Sequence, residues 1–121
     1  MRSLRILVVD DDAVIGMLLG EMLEEMGHTV CAIEITEADA VSATALLAPD
    51  LLIIDAFLGD GSGVEAVKAI TRDKPVPHLF VSGDLSVVKA AMPGSAMLHK
   101  PYNETELERG IKRALDAAPA H

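Results

Sequence analysis

Aromatic side chains are nearly missing from this 121-residue chain, which has no tryptophan, one tyrosine and two phenylalanines. Base-stacking platforms, aromatic cages and flavin sites are therefore poorly supplied. The core has to be aliphatic. Cysteine occurs once, at Cys31. That excludes an intramolecular disulfide and any multi-cysteine metal cluster, and it suits a reducing compartment. No uncharged run exceeds ten residues, well short of the roughly 20 needed to cross a bilayer. The basic start, Met1 to Arg5, leads into an apolar stretch that meets three aspartates at once, which is not a signal-peptide pattern. The expectation is a cytoplasmic chain without a membrane anchor. Basic residues are also scarce, 10 against 19 acidic ones, for a net charge of -9. Such a chain repels nucleic acid and anionic membranes. It favours cations and partners with basic faces.

Short β-like runs alternate with longer helix-like runs. Leu4 to Val9 is an almost continuous apolar stretch, as expected of a strand buried on both faces. From Ala13 to Met26 the period changes, and Ile15, Leu18, Leu19, Met22 and Met26 form a helical stripe, with Gly27 as its stop. Thr29 to Ile33 reads as a second strand. Thr36 caps a helix running to about Leu47, before Pro49. Leu51 to Ile54 is the third strand and the most apolar. A glycine-rich loop (Gly59, Gly61, Gly63) precedes a helix from Val64 to Thr71. His78 to Val81 is the fourth strand, Leu85 to Met92 a weak helix, and Ala96 to Leu98 the fifth strand. Asn103 caps a last helix carrying Leu107, Ile111, Ala114 and Leu115. The tail beyond Ala117 is expected to fray. These five βα units imply an α/β fold with a doubly wound, five-stranded parallel sheet.

Ligands of such a sheet bind beyond the carboxyl ends of its strands. Asp10, Asp11 and Asp12 follow the first strand, Asp55 the third, Ser82 the fourth and Lys100 the fifth. Carboxylates held together repel, and something must neutralise them. A hard divalent cation with oxygen ligands does so, and Mg²⁺ typically takes one or two carboxylates plus waters and phosphate oxygens. Lys100 adds a second positive charge and Ser82 a hydroxyl. The set suits a phosphoryl group, with a carboxylate as its covalent acceptor. Taken singly, each residue has a simpler reading as a helix cap, a turn or a surface charge. Their joint placement at four strand ends is the signal.

Ile6-Leu7-Val8-Val9-Asp10-Asp11-Asp12, Leu52-Ile53-Ile54-Asp55, Phe80-Val81-Ser82-Gly83 and His99-Lys100-Pro101-Tyr102 together resemble the four landmarks of response regulator receiver domains. The resemblance covers essentially the whole chain. It implies a flavodoxin-like strand order 2-1-3-4-5, and residues 1–121 as one receiver domain without an output domain. It also implies a phosphorylation switch rather than an enzyme, acting only on its own aspartate. Asp55 corresponds to the acceptor, phosphorylated by a sensor histidine kinase or a histidine phosphotransfer protein. Asp10 and Asp11 correspond to the acidic pair that holds Mg²⁺ (or Mn²⁺), with Asp11 the direct ligand. The Phe57 backbone carbonyl corresponds to a further ligand. Ser82 corresponds to the switch hydroxyl, Lys100 to the phosphate-binding lysine, and Lys100-Pro101 to a cis bond. Output is expected through the fourth helix, fifth strand and fifth helix, with Lys89, Met92, Met97, His99 and Tyr102 on or near that face.

Three departures from the family pattern stand out. Gly59 stands where proline is usual, which predicts a more mobile loop. Met97 replaces the aromatic that couples to the switch hydroxyl. Phe57 and Asp84 stand at positions that in the family flank the path of hydrolytic water, so the resemblance implies slow to moderate self-dephosphorylation. Other readings compete: a phosphate shuttle or sink, a receiver cut from a hybrid kinase, and, remotely, a haloacid-dehalogenase-type phosphohydrolase built on Asp10-x-Asp12. The scattered histidines, Cys31 and the Met17-Met22-Met26 set read as structural or surface residues.

Overall fold

The computed structural model describes residues 2–117. Met1 and residues 118–121, with the expected frayed tail, lie outside the described residues. The chain begins with β1 (Arg5–Val9), α1 (Ala13–Glu25), β2 (Thr29–Glu34), α2 (Glu37–Leu47) and β3 (Leu51–Asp55). Two short strands follow, β4 (Phe57–Leu58) and β5 (Gly61–Ser62), and then α3 (Gly63–Thr71). The last elements are β6 (His78–Ser82), α4 (Ser86–Ala91), β7 (Ala96–His99) and α5 (Glu104–Ala117). Strands β4 and β5 pair antiparallel with each other, outside the main sheet.

The main sheet is parallel, in the order β2-β1-β3-β6-β7. Counting only its own strands, this is the expected 2-1-3-4-5. Strand alternation divides the core in two. Leu4, Ile6, Val8, Leu51, Ile53, Leu79 and Val81 face α1 and α5, whose Leu19, Leu23, Leu107 and Ile111 cover them. Leu7, Val9, Leu52, Ile54 and Phe80 face the opposite way, under Ala40 and Ala43 of α2, Val64 and Val67 of α3 and Val88 of α4. Both faces are covered, which is why β1 and β3 read as continuous apolar runs. Truncating one of these fully buried Leu or Ile residues to Ala costs about 2–5 kcal/mol.

The helix ends follow local chemistry. Asp12 accepts from the amides of Val14 and Ile15 and caps α1. Thr36 caps α2 through the Asp39 amide. Asn103 and Glu106 form a reciprocal capping box on α5. The buried face of α1, however, is not the stripe expected from its apolar residues. Gly16, Leu19, Gly20 and Leu23 are buried, whereas Ile15 and Leu18 are 39% and 54% exposed. A side chain at position 16 would meet the Ile33 side chain at 3.0 Å. The two small residues let α1 lie close on β2, and this rotates Ile15 and Leu18 outward. Lys100-Pro101 is a cis peptide bond.

Candidate functional site

Four strands deliver the site. The apolar runs of β1, β3, β6 and β7 end where the sheet stops, so the next polar residue of each emerges at the same rim. Asp10 is 4% exposed, Asp55 is half-buried and Asp11 is exposed. Carboxylate oxygens of the three lie within 4.8 Å of one another. Lys100 Nζ donates to Oδ2 of both Asp10 and Asp55, each at 2.9 Å. Three further carboxylate oxygens accept from backbone amides. Asp10 Oδ1 accepts from the Asp12 amide at 2.9 Å, and Asp55 Oδ1 from the Phe57 amide at 3.0 Å. Asp11 Oδ2 accepts from the Gly59 amide at 3.0 Å.

Burial opposes the charge on Lys100, but the hydrogen bonds and charges of Asp55 and Asp10 outweigh it, and its pKa is raised above the ordinary lysine value. The ammonium is therefore permanently charged at neutral pH. Three carboxylates still face this single ammonium. The donor set is all oxygen and carries excess negative charge, which fits a hard divalent cation rather than a soft one.

Ser82 is 2% exposed. Its Oγ accepts from the Asp84 amide at 3.3 Å, and its carbonyl accepts from the Lys100 amide at 2.9 Å. Asp55 pairs with Val81 across β3 and β6, so Ser82 lies one residue beyond the partner of Asp55. Phe57 opens the β4–β5 hairpin and is 47% exposed. Met97 is not in the carboxylate cluster. It is half-buried on the α4 side of the sheet, packed against the core that holds Phe80, Leu85 and Val88. Its carbonyl accepts from Arg113 of α5 at 3.0 Å. Tyr102 lies on the α5 side of the expected output face. It packs on the opposite side of the sheet from Met97, among the residues under α1 and α5.

The glycine-rich segment, read as a loop from the sequence, forms the β4–β5 hairpin and is tied at two points. Gly59 adopts φ +62, which proline cannot reach, and proline would also lack the N–H that holds Asp11. A Cβ at Gly63 would stand 1.9 Å from the Asp55 carbonyl oxygen, so only glycine fits there. Glu37 of α2 reaches across to accept from the Ser62 amide at 2.8 Å. The glycine spacing marked this segment in the sequence. Nothing in the sequence marked Glu37 beyond its place as a first-turn acid. Asp12, the second acid of the Asp-x-Asp reading, is spent on capping α1, which removes the support for a phosphohydrolase.

The sequence profile for the response regulator receiver domain matches residues 6–112. The transcriptional regulatory protein PdtaR of Mycobacterium tuberculosis is 30% identical over 115 residues, covering 92% of this chain and 56% of PdtaR. The chain spans about half the length of the curated relatives it matches. Among solved structures, the receiver domain of Erythrobacter litoralis PhyR superimposes with a TM-score of 0.85 at 25% identity, covering 98% of this chain and 95% of that one. The response regulator domain of Thermotoga maritima CheB gives the same score and identity, covering 98% and 100%. A fold with this strand order, an acidic cluster at its carboxyl rim and a family match over residues 6–112 lead to one conclusion: this chain belongs to the response regulator receiver domains, a family of signalling domains.

Proposed function

We propose that Asp55 is the phosphoacceptor and that its phosphorylation switches a protein-binding face. The observation that carries this is the double hydrogen bond from Lys100 Nζ to Asp10 and Asp55. It sets a fixed cation beside a carboxylate at the sheet rim, where a phosphoryl group would need charge compensation. An Asp55 oxygen attacks the phosphorus of a phosphohistidine. The P–O bond forms as the P–N bond breaks, and the imidazole leaves with its electron pair and takes up a proton. Lys100 holds one phosphoryl oxygen and the Ser82 hydroxyl another. Asp11, Asp55 and the Phe57 carbonyl would hold Mg²⁺ (or Mn²⁺), with Asp10 contributing through water. The cation would neutralise charge on the phosphoryl oxygens.

The donor is a sensor histidine kinase or a histidine phosphotransfer protein, which places the exchange in the cytoplasm. Its approach is favoured beside α1, where Ile15, Leu18 and Met22 with Pro101 and Tyr102 line an apolar cleft of about 570 Å³ that also reaches Lys100. Output leaves through α4, β7 and α5, where Lys89, Met92, Met97 and His99 lie. No helix among the described residues is long and apolar enough to cross a membrane.

Incubation with a small acyl phosphate and Mg²⁺ should add one phosphoryl group, read by intact mass. Asp55→Asn and chelation should each abolish it. Labelling that survives Asp55→Asn would overturn the assignment.

A further inference from the structure

The β4–β5 hairpin carries the backbone at the mouth of the site, and it is anchored from two directions. On one side the Gly59 amide donates to Asp11 Oδ2 at 3.0 Å. On the other, the Ser62 amide donates to Glu37 Oε1 at 2.8 Å, a link across 25 residues to the start of α2. Ser62 pairs directly with Phe57 and Gly61 with Leu58. Whatever holds Ser62 therefore holds Phe57 opposite it. The approach of Glu37 is close: a Cβ at Gly61 would lie 3.0 Å from the Glu37 Cβ and 3.2 Å from its Oε1. The Ser62 hydroxyl is used separately, accepting from the Glu65 amide to cap α3. Glu37 is thus the group that ties the hairpin to the body of the domain at its outer strand.

We infer that Glu37 is a positioning residue of the acceptor site, holding the hairpin so that the Phe57 carbonyl and the Gly59 amide keep their places beside Asp55 and Asp11. This rests on the reading of Asp11, Asp55 and Phe57 as the cation site. A first-turn glutamate also favours a helix through its charge alone, and two variants separate the roles. Glu37→Gln keeps the reach and the acceptor oxygen but loses the charge. Glu37→Asp keeps the charge but is one methylene short.

The test measures Mg²⁺ affinity by calorimetry and amide hydrogen exchange by NMR in the full chain, with circular dichroism to establish folding. Glu37→Ala and Glu37→Asp should weaken Mg²⁺ binding about tenfold, the lower end for partners that orient ligands. They should also speed exchange of the Ser62 and Gly59 amides about tenfold. Glu37→Gln should stay within about threefold of wild type on both measures, because a neutral carbonyl still accepts the bond. Wild-type affinity and exchange in the Ala and Asp variants, or loss in Gln with retention in Asp, would overturn the inference. A wild-type chain that binds no Mg²⁺, or an Asp11→Ala variant that binds it equally well, overturns the underlying site reading instead.

Discussion

Two segments leave the carboxyl rim of the sheet next to Asp55, one from β3 to α3 and one from β6 to α4, and they are held in different ways. The first is anchored by long-range bonds, from Gly59 to Asp11 and from Ser62 to Glu37, and by the Gly63 amide donating to the Ala56 carbonyl. Beyond Ser82, whose carbonyl accepts from the Lys100 amide, the second is held by local bonds of the Ser82, Asp84 and Ser86 side chains. Asp84 is exposed, and its pKa is lowered by the hydrogen bonds from the Ser86 hydroxyl and amide. The helix that follows, α4, has six residues, no side-chain cap and one buried residue, Val88. A helix this short owes its stability to packing, and here the packing is thin. The contrast suggests a division of labour. Under the proposed function, the β3–α3 side would hold the acceptor site in place, while the β6–α4 side is the one free to respond at Ser82.

The largest test exploits two glycines. Gly63→Ala places a methyl group on the Asp55 carbonyl, so the backbone must shift. We expect a loss of about 3 kcal/mol, the upper range for overpacking, in urea unfolding, together with loss of phosphoryl labelling. Gly83 faces open space, and a Cβ added there would meet no atom within 4 Å. Gly83→Ala should therefore change stability by no more than about 0.5 kcal/mol. Equal effects at the two positions would end the comparison.

A second test concerns water. With Asp55 as the proposed acceptor, the phenyl group of Phe57 two residues on would shield the acyl phosphate, whereas Phe57→Asn offers a polar group that can orient an attacking water. Decay of the acyl phosphate should accelerate roughly tenfold, about 1.4 kcal/mol of barrier, followed by loss of the label over time. Equal decay rates would remove the argument. Third, a phosphoryl mimic should shift the NMR resonances of Ser82 to Met92, while those of Leu58 to Ser62 move less. Met97 has no ring, so this movement would proceed without an aromatic gate. Unchanged α4 resonances would refute it.

The smallest effect lies at the far end of β6. His78 bridges the Val76 carbonyl and the Ser95 hydroxyl, each at 2.9 Å. Burial lowers its pKa below 6.5, against a smaller opposing effect of the Val76 bond. The unfolded chain therefore takes up the proton first as pH falls. The stability His78 contributes is present above pH 6.5 and is lost as pH falls from there through the lowered folded value. His28 shifts the same way through burial, so the readout is a difference: urea midpoints should fall less steeply below pH 6.5 in His78→Gln than in wild type.

How much of this was legible depended on the range of the interaction. The apolar runs at Ile6 to Val9 and Leu51 to Ile54, the caps at Thr36 and Asn103, and the strand-end positions of Asp10, Asp55, Ser82 and Lys100 all follow from short-range pattern. The face of α1 did not, because Gly16 and Gly20 count for little on a hydropathy stripe yet decide how closely the helix approaches Ile33. The glycines of the β3–α3 loop were visible as a cluster, but they read as slack when each in fact answers a close approach or a positive φ.

The sequence by itself determined the order of the helices and of the main-sheet strands, the parallel sheet and the identity of the residues at its rim, though not the β4–β5 hairpin. Period and polarity are properties of neighbouring positions, and a buried parallel sheet forces its polar residues to its ends. Only the tertiary structure decided that Lys100 bridges Asp10 and Asp55, that Glu37 reaches Ser62, and that Gly59 holds Asp11. Each of these bonds joins groups 25 or more positions apart. Their geometry depends on how helices and loops settle over the sheet, which local pattern does not specify.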